Sequence, residues 1–418
     1  MLARVVSALK GFGVAVPVVA VWVAMAVAGL RQRAGAGGGW GVVGVRGDKA
    51  MEEAFPCVDV FMQPSSDGRP LVAHLQAGED QSIEEESTAQ RHAWQDGEII
   101  LPVHERGQLV SAPVSVVYGC SHACSFCIIP QKRGIERSRH VGEIAAEVRS
   151  LVAQGVKEVV LLGQIVDRYG YDVADGPDLA DLLRVVNDID GLERIRFLTS
   201  HPNYMTDKIL RAVAELPKVM PQIEIPIQAG DDEVLANMKR GYTADFYRAL
   251  VGRVRDIIPD VAIHNDIIVG FPGETAAQFQ KTYDLLAELA LDKIHLARYS
   301  PRPGTVSERR MVDDVSDEEK RRRFQAIEAL QAEISERKMA RWLGETVEVL
   351  VEGLHNGRWR SRTPQNKLVF FDDPRQLKGE IVQVKIEHTG AWSLSGTAVD
   401  KPQPVSQPAA ESIPLSII

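Results

Sequence analysis

The sequence predicts an α/β protein in which a partial barrel of six strand–helix units is followed by a small all-β barrel. Apolar strands alternate with helix-length segments between residues 111 and 315, and short strands with period-two alternation follow at 345–399. Parallel strands joined by right-handed helical crossovers curl toward a barrel. In that architecture, functional residues belong at the carboxyl ends of the strands.

The six barrel strands are predicted from short apolar runs separated by amphipathic segments. After the first strand, Val141, Ile144 and Val148 recur at spacings of three and four, which places them on one face of a helix. The second domain is predicted from strands broken by Gly, Asn and Pro. The predicted barrel strands are 113–118, 158–162, 194–199, 222–228, 262–271 and 293–299.

A charged helix is expected to connect the two barrels. Ser316 and Glu319 fit a capping box at its start, and its many charges predict a mostly solvated helix that ends near Trp342. The predicted organisation is an atypical Val/Ala/Gly-rich segment at 1–50, a short folded region with a linker at 51–110, the strand–helix core at 111–315, the connector helix at 316–342, the small barrel at 343–400 and a tail at 401–418.

Composition narrows the classes of protein. The chain has 418 residues, of which 45% are hydrophobic and 25% charged, so it can bury several cores and is neither fibrous nor disordered. A formal net charge of -9 argues against a protein that coats nucleic acid, and any RNA contact must come from local basic patches. Four cysteines are too few for a disulfide framework, which predicts a reducing, cytoplasmic compartment.

The N-terminal segment favours a membrane or secretory location over the cytoplasm. Residues 11–30 are uncharged, lie between Lys10 and Arg31, and have the length needed to cross a bilayer. Three interpretations remain open: a membrane anchor, a secretory signal with a small-residue cleavage site at 26–28, or a shifted reading frame in GC-rich DNA. Membrane anchoring through 11–30 is therefore the alternative to a cytoplasmic location.

The strongest chemical signal is a C-x3-C-x2-C loop formed by Cys120, Cys124 and Cys127, directly after the first predicted strand. Three thiolates can ligate three irons of a [4Fe–4S] cluster and leave the fourth iron open. S-adenosylmethionine can chelate that iron, and an electron then cleaves its sulfonium to give a 5′-deoxyadenosyl radical. The alternative is a structural zinc site with His122 as the fourth ligand.

This loop, with Phe126 before its last cysteine, resembles the radical SAM superfamily. The strings at 133–139 (RGIERSR), 161–164 (LLGQ), 239–243 (KRGYT) and 269–275 (VGFPGET) further resemble the tRNA methylthiotransferases. The strings at 199–202 (TSHP) and 362–367 (RTPQNK) are most similar to the branch that acts on isopentenyladenosine. The likeness spans roughly residues 111–399, where the last part resembles a TRAM domain.

The resemblance implies transfer of a methylthio group to position 2 of isopentenyladenosine beside the tRNA anticodon. One SAM would serve as radical source and another as methyl donor, and the expected partners are tRNA and an electron donor such as flavodoxin or ferredoxin, for a monomeric enzyme. No catalytic side chain is assigned. The implied cofactor-binding residues are Phe126, Gly163, Gln164, Asp266, Gly270 and Glu274.

Some of these cofactor residues also have simpler interpretations. Gly270 and Gly273 could form a tight strand-to-helix turn, and Glu274 could be an acid in the first turn of a helix. Both interpretations remain open at this point.

RNA contacts are predicted in two places. Basic residues follow the cysteine loop, although a run of charges can simply be a solvated face. In the TRAM-like segment, strand periodicity places three arginines on one face, as a basic stripe or as a protected sheet edge. The predicted RNA-binding residues are Arg133, Arg137, Arg139, Arg358, Arg360, Arg362 and Lys367.

The sequence departs from the family near its beginning. Members carry an N-terminal domain whose three cysteines bind a second [4Fe–4S] cluster, whereas Cys57 is the only further cysteine here. Residues 51–110 are therefore interpreted as a remnant of that domain plus a linker. The expectation is one SAM-chelating cluster, SAM cleavage, and impaired methylthiolation. Two other functions remain open: a non-catalytic RNA-binding protein with a structural metal, and a membrane-anchored radical SAM enzyme with another substrate.

Overall fold

The computed structural model describes the backbone of residues 41–43 and 60–62, and residues 107–399 in full. Strands β1 (Gly41–Val43) and β2 (Val60–Met62) form a parallel pair. The predictions for the segment 11–30, for Cys57, for the linker and for the tail lie outside the described residues. Within the described part, no helix combines the length and apolarity needed to cross a membrane.

Six parallel strands form the first domain in the predicted order. They pair as two three-stranded sheets, which meet where Ile195 and Val219 form a parallel bridge. Within the described residues, the first and last of these strands are not paired with each other, so the barrel is partial. Two short strands, β4 (Val117–Tyr118) and β5 (Arg137–Ser138), form a separate antiparallel pair. The six barrel strands are β3 (Ser111–Ser115), β6 (Glu158–Leu162), β7 (Arg194–Phe197), β8 (Gln222–Glu224), β9 (Ala262–Val269) and β10 (Lys293–Arg298).

The longer helices cover the outer face of this sheet. Most begin at a Ser, Thr or Asp whose side chain accepts a hydrogen bond from the first turn, as Thr275 does from the backbone N–H of Gln278. The helices are α1 (Ile129–Arg133), α2 (Val141–Ala153), α3 (Leu179–Asn187), α4 (Asp207–Glu215), α5 (Asp232–Asn237), α6 (Ala244–Ile257), α7 (Ala276–Leu289), α8 (Val306–Arg310) and α9 (Asp317–Ala340).

The two faces of each barrel strand differ in chemistry. On β7, Ile195 and Phe197 belong to the apolar core under the helices, whereas Arg194 and Arg196 alternate with them and face inward. On β9, Ile263 and Ile267 pack outward and His264 faces the interior. The interior of the barrel is therefore polar, which suits a ligand site.

Helix α9 corrects one prediction. Ser316 caps it by accepting from the N–H of Glu319, but the Glu319 carboxylate pairs with Arg322 and Arg323 instead of closing a capping box. The prediction of a mostly solvated helix is wrong for one face, because Ile327 is fully buried. Helix α9 packs along β10 and thus belongs to the barrel.

The second domain is a closed five-stranded barrel with its own core, which includes Trp359 and Phe371. Its pairings are antiparallel except for β13 with β15, which run parallel. This confirms the predicted small all-β barrel. The strands are β11 (Thr346–His355), β12 (Arg358–Arg362), β13 (Leu368–Asp372), β14 (Ile381–Thr389) and β15 (Leu394–Val399).

Buried arginines join the two barrels at the amino ends of the first domain's strands. The Arg196 guanidinium donates to Glu158 Oε2 at 2.8 Å and to the carbonyl oxygens of Pro364 and Thr363 at 2.8 and 3.0 Å. Arg194 donates to the carbonyl oxygen of Arg362. The small barrel therefore occupies the end opposite to the cysteine loop.

We expect Arg196→Met to lower the free energy of unfolding by about 3–5 kcal/mol, because it leaves the buried Glu158 carboxylate without its positive partner and removes the hydrogen bonds to the Pro364 and Thr363 carbonyl oxygens. Arg184→Met removes an exposed pair with Asp181 and should cost less than about 1 kcal/mol. Urea unfolding measures both. Equal effects of the two substitutions would contradict this role of Arg196.

Candidate functional site

The cysteine loop follows β4 at the carboxyl end of the barrel. Gly119 begins it with a φ of +68°, and a Cβ at this position would lie 2.1 Å from the carbonyl oxygen of Ile135. Only glycine allows this approach. The Cys120 N–H then donates to the carbonyl oxygen of Gly134 at 3.1 Å, which ties the loop to the segment after α1.

A buried cation lies against one of the three thiols. Arg240 Nη1 donates to Cys124 Sγ at 3.1 Å, and its Nε donates to the hydroxyl of Tyr242 at 2.8 Å. Burial raises the pKa of Cys120 to about 11 and also raises that of Cys127. These thiols therefore stay protonated at neutral pH unless a metal centre binds them and displaces their protons.

Two kinds of metal centre are candidates for the loop, an iron–sulfur cluster and a zinc ion. Zinc held at about 2.3 Å by sulfur brings its ligands within about 4 Å of one another. Among the described residues, the three cysteines and His122 contribute no group of three donors that all lie within 4.8 Å of one another. The identity of the metal centre stays a prediction.

Two neutral histidines lie beside the loop. The rings of His122 and His201 are 4.4 Å apart, and burial, followed by the Arg240 charge, lowers their pKa values to about 4 and about 2. Both carboxylate oxygens of Asp167 accept from the His201 N–H at 3.0 Å. Burial raises the pKa of this fully buried carboxyl to about 8.

The predicted cofactor residues after the loop and after β6 lie at this same end. Phe126 is half-buried and packs on the core of the first domain. Gly163 directly follows β6, and a Cβ there would lie 3.0 Å from the Cβ of Val117. Gln164 is half-buried beside it. Their association with a cofactor stays a prediction.

Asp266 lies in the barrel interior with a second carboxyl. Burial raises the pKa of Asp266 to about 6, and burial followed by the charge of Asp266 raises that of Glu224 to about 7. Glu224, His264 and His295 form the one group of three donors within 4.8 Å of one another in the described part of the chain. These carboxyls can take up or release a proton near neutral pH.

Hydrogen bonds define the role of His264 in that group. Arg196 Nη1 donates to Gln222 Oε1 at 3.4 Å, which orients the Gln222 amide so that its nitrogen faces His264 Nδ1 at 3.3 Å. Nδ1 therefore accepts, and the proton of the neutral ring belongs on Nε2. A ring in this tautomer donates a hydrogen bond instead of ligating a metal through Nε2.

Glu274 and Gly270 have partners within the protein. Glu274 Oε2 accepts from the Gly270 N–H at 2.6 Å and pairs with Arg323 of α9 at 2.8 Å. A Cβ on Gly270 would lie 2.3 Å from Lys320 Cγ, also on α9. The structure therefore packs these two residues against α9, and their contact with adenosine stays a prediction.

The first basic group is divided by the structure. Arg133 on α1 is exposed, and Arg137 is exposed with its guanidinium 5.8 Å from the Tyr118 ring centroid. Arg139 donates to Glu147 Oε2 at 2.6 Å and to the carbonyl oxygen of Ser115. Its charge is compensated inside the protein, and its contact with RNA stays a prediction.

The second basic group changes in the same way. Arg358, Arg360 and Arg362 share one face of β12, as the alternation predicts, since Trp359 between them is buried. These arginines pair with Asp372 or Glu352, and Lys367 donates to Asp292 at 2.9 Å with its side chain only 10% exposed. Lys367 contributes to the junction of the two barrels, and its contact with RNA stays a prediction.

Sequence reasoning missed two groups of residues at the site. Arg240 is part of a quoted string, yet no spacing rule relates it to Cys124, which is 116 positions away. The interior group of Glu224, His264 and His295 comes from three strands. The alternation of strands β8 to β10 indicates that these residues face inward, and only the fold brings them together.

We expect Gly119→Ala to lose most of its bound iron after reconstitution and to unfold at a lower temperature, because its Cβ would overlap the Ile135 carbonyl. Gly142→Ala on α2 is the matched control, since no atom lies within 4 Å of its Cβ. Iron content and circular dichroism measure the result. A fully loaded Gly119→Ala protein would contradict the close approach.

We expect Arg240→Gln to make the cluster harder to reduce, because it removes a charged donor from Cys124 Sγ. A loss of about 1.4 kcal/mol corresponds to a potential more negative by about 60 mV for one electron. Arg248→Gln, an exposed arginine paired with Glu288, is the charge-matched control. Redox titration followed by electron paramagnetic resonance measures the shift; equal potentials for wild type and Arg240→Gln would refute it.

Family models match both domains of the chain. The Radical SAM superfamily model matches residues 114–286, and the TRAM domain model matches residues 340–399. Among solved structures, coproporphyrinogen III oxidase from Escherichia coli aligns with a TM-score of 0.42 at 15% identity over 67% of each chain. A radical S-adenosylmethionine methyltransferase from Kitasatospora setae aligns with a TM-score of 0.41 at 18% identity, over 49% of this chain and 40% of that one.

Curated relatives are more similar. A protein of Roseiflexus sp. (strain RS-1) is 48% identical over 85% of this chain and 73% of its own length, and one of Chloroflexus aurantiacus is 46% identical over 85% and 74%. One of Herpetosiphon aurantiacus is 43% identical over 86% and 80%. All three are named tRNA-2-methylthio-N(6)-dimethylallyladenosine synthase. The chain combines a cysteine loop on a radical SAM barrel with a C-terminal TRAM domain, as the matches predict. It belongs to the tRNA-2-methylthio-N(6)-dimethylallyladenosine synthase family.

Proposed function

We propose that this protein is a radical SAM enzyme that adds a methylthio group to position 2 of a dimethylallyl-modified adenosine in tRNA. The observation that carries the proposal is the loop of Cys120, Cys124 and Cys127 at the carboxyl end of a parallel barrel, with the buried Arg240 donating to Cys124. The choice of substrate follows the names of the relatives, which are 43–48% identical to this chain over most of its length.

The cysteine loop fits a [4Fe–4S] cluster chemically. Its thiols are free, and the Arg240 charge would offset the charge of cluster-bound thiolates. When bound, the cluster and SAM together supply a 5′-deoxyadenosyl radical. Cys120, Cys124 and Cys127 would hold the cluster. The residues that would contact SAM are Phe126, Gly163, Gln164, Asp266, Gly270 and Glu274.

The barrel interior would position the target base. Glu224 and Asp266, whose pKa values burial raises to about 7 and about 6, can each exchange a proton near neutral pH. The Nε2–H that Gln222 assigns to His264 can donate a hydrogen bond to a purine nitrogen. The buried Arg196 junction closes the other end of the barrel, so the base would enter beside the cysteine loop.

The chain supports one cluster from its own cysteines. Apart from the three loop cysteines it contains only Cys57. We therefore infer that this polypeptide binds about four irons, cleaves SAM, and completes sulfur insertion poorly by itself. The remaining proposals follow the family: a cytoplasmic location, a monomer, and reduction by a flavodoxin or ferredoxin. The domain boundaries at 111–315, 316–342 and 343–400 stay proposals as well.

The test is an anaerobic assay of the reconstituted chain. We expect about four irons per chain, formation of 5′-deoxyadenosine from SAM, and faster formation when an anticodon stem-loop with dimethylallyladenosine is present. Cys124→Ser should lose both iron and SAM cleavage, whereas Cys57→Ser should keep them. Absence of SAM cleavage by loaded wild type would overturn the radical SAM proposal; efficient methylthiolation by the chain alone would overturn the inference about the second cluster.

A further inference from the structure

A row of aromatic rings leads from the cysteine loop to the protein surface. His122 contacts His201 at 4.4 Å, His201 contacts Tyr204 at 5.3 Å, and Tyr204 contacts Tyr171 at 5.4 Å between ring centroids. These residues follow strands β3/β4, β6 and β7, so all lie at the carboxyl end of the barrel. The inner histidine, His201, is buried, and the outer residue, Tyr171, is 55% exposed.

A guanidinium reinforces the outer end of this row. The Arg168 Cζ lies 4.5 Å from the Tyr204 ring centroid and 4.9 Å from that of Tyr171. Its Nε donates to both carboxylate oxygens of Glu136 at 2.9 Å, and Glu136 is buried. Arg168 is thus fixed between two tyrosines, and more than half of Tyr171 remains accessible.

The segment that carries Tyr171 is held rigidly. Asp172 accepts hydrogen bonds from the backbone N–H and the hydroxyl of Ser138, and the Ser138 hydroxyl accepts from the Gly170 N–H. Gly170 has a φ of +85°, and its Cβ would lie 2.0 Å from the carbonyl oxygen of Pro177. The exposed ring is therefore presented by a fixed turn. An ordinary exposed aromatic residue has no need of such support.

A flat, exposed ring supported by a guanidinium is suited to stacking on a nucleobase. Proteins recognise unpaired RNA bases by stacking them on tyrosine, histidine or arginine planes. The exposed Arg137, next to Ser138 in the chain, adds positive charge for a phosphate beside such a base. A base in a paired stem could not reach this ring without leaving its stack, so the surface favours a single-stranded loop.

We propose that Tyr171, supported by Tyr204 and Arg168, is a stacking platform for an unpaired anticodon-loop base next to the modified adenosine. The proposal rests on the proposed function for its tRNA substrate and adds the contact that places the loop. The stacked base would hold the neighbouring adenosine at the mouth of the barrel. Tyr171 acts as a binding residue and takes no part in the chemistry.

The test uses the reconstituted full chain and an anticodon stem-loop in which 2-aminopurine replaces the base that follows the target adenosine. Stacking quenches 2-aminopurine fluorescence. We expect wild type and Tyr171→Phe to quench it and to bind within about twofold of each other. Tyr171→Ala should lose the quenching and bind about tenfold more weakly, which corresponds to about 1.4 kcal/mol. Val185→Ala, an exposed apolar residue on α3, is the control and should match wild type.

The outcomes separate this proposal from the proposed function. RNA-free SAM cleavage and thermal unfolding of Tyr171→Ala should match wild type; a loss of either would mean that Tyr171 acts through the fold, and would overturn the platform. Wild-type binding and quenching retained by Tyr171→Ala would also overturn it, while the proposed function would stand. If wild type itself binds no stem-loop, the tRNA substrate is wrong, and the platform fails with it.

Discussion

The buried guanidinium of Arg196 is the interaction on which the arrangement of this protein depends. It lies on the third barrel strand and joins Glu158 of the second strand, Gln222 of the fourth, and two carbonyl oxygens of the small barrel. A buried charge requires such complete pairing, because its desolvation otherwise outweighs its interactions. One side chain thus joins neighbouring strands of the barrel to the second domain.

This junction determines which end of the barrel remains available. Because the small barrel is docked at the amino ends of the strands, the carboxyl ends and the cysteine loop lie on the other side, with the polar interior between them. The same guanidinium orients Gln222 and, through it, the tautomer of His264. Three side chains joined by hydrogen bonds, Arg196, Gln222 and His264, therefore link the docking of the second domain to the chemistry of the interior.

At the open end, close backbone approach and buried charge shape the site. Gly119 lets the cysteine loop pass the Ile135 carbonyl, and Arg240 places a buried positive charge against Cys124 Sγ. The neutral His122 and His201 fill the space beside them. Helix α9, through Arg323 and Glu274, fixes the turn after β9 on the far side of the barrel.

The sequence by itself determined the strand–helix alternation, the small β-barrel and the cysteine loop, because hydrophobic period and ligand spacing are local properties. It predicted five of the six barrel strands to begin at the residue where they do, and it placed Arg358, Arg360 and Arg362 on one face. The tertiary structure alone decided which charges are paired, and the three arginines of β12 are paired as well. Arg139, Lys367 and Glu274 look like ligand-binding residues in sequence, yet each finds an opposite charge far along the chain or on a packed helix. Burial and pairing depend on contacts between distant segments, and no local pattern encodes them.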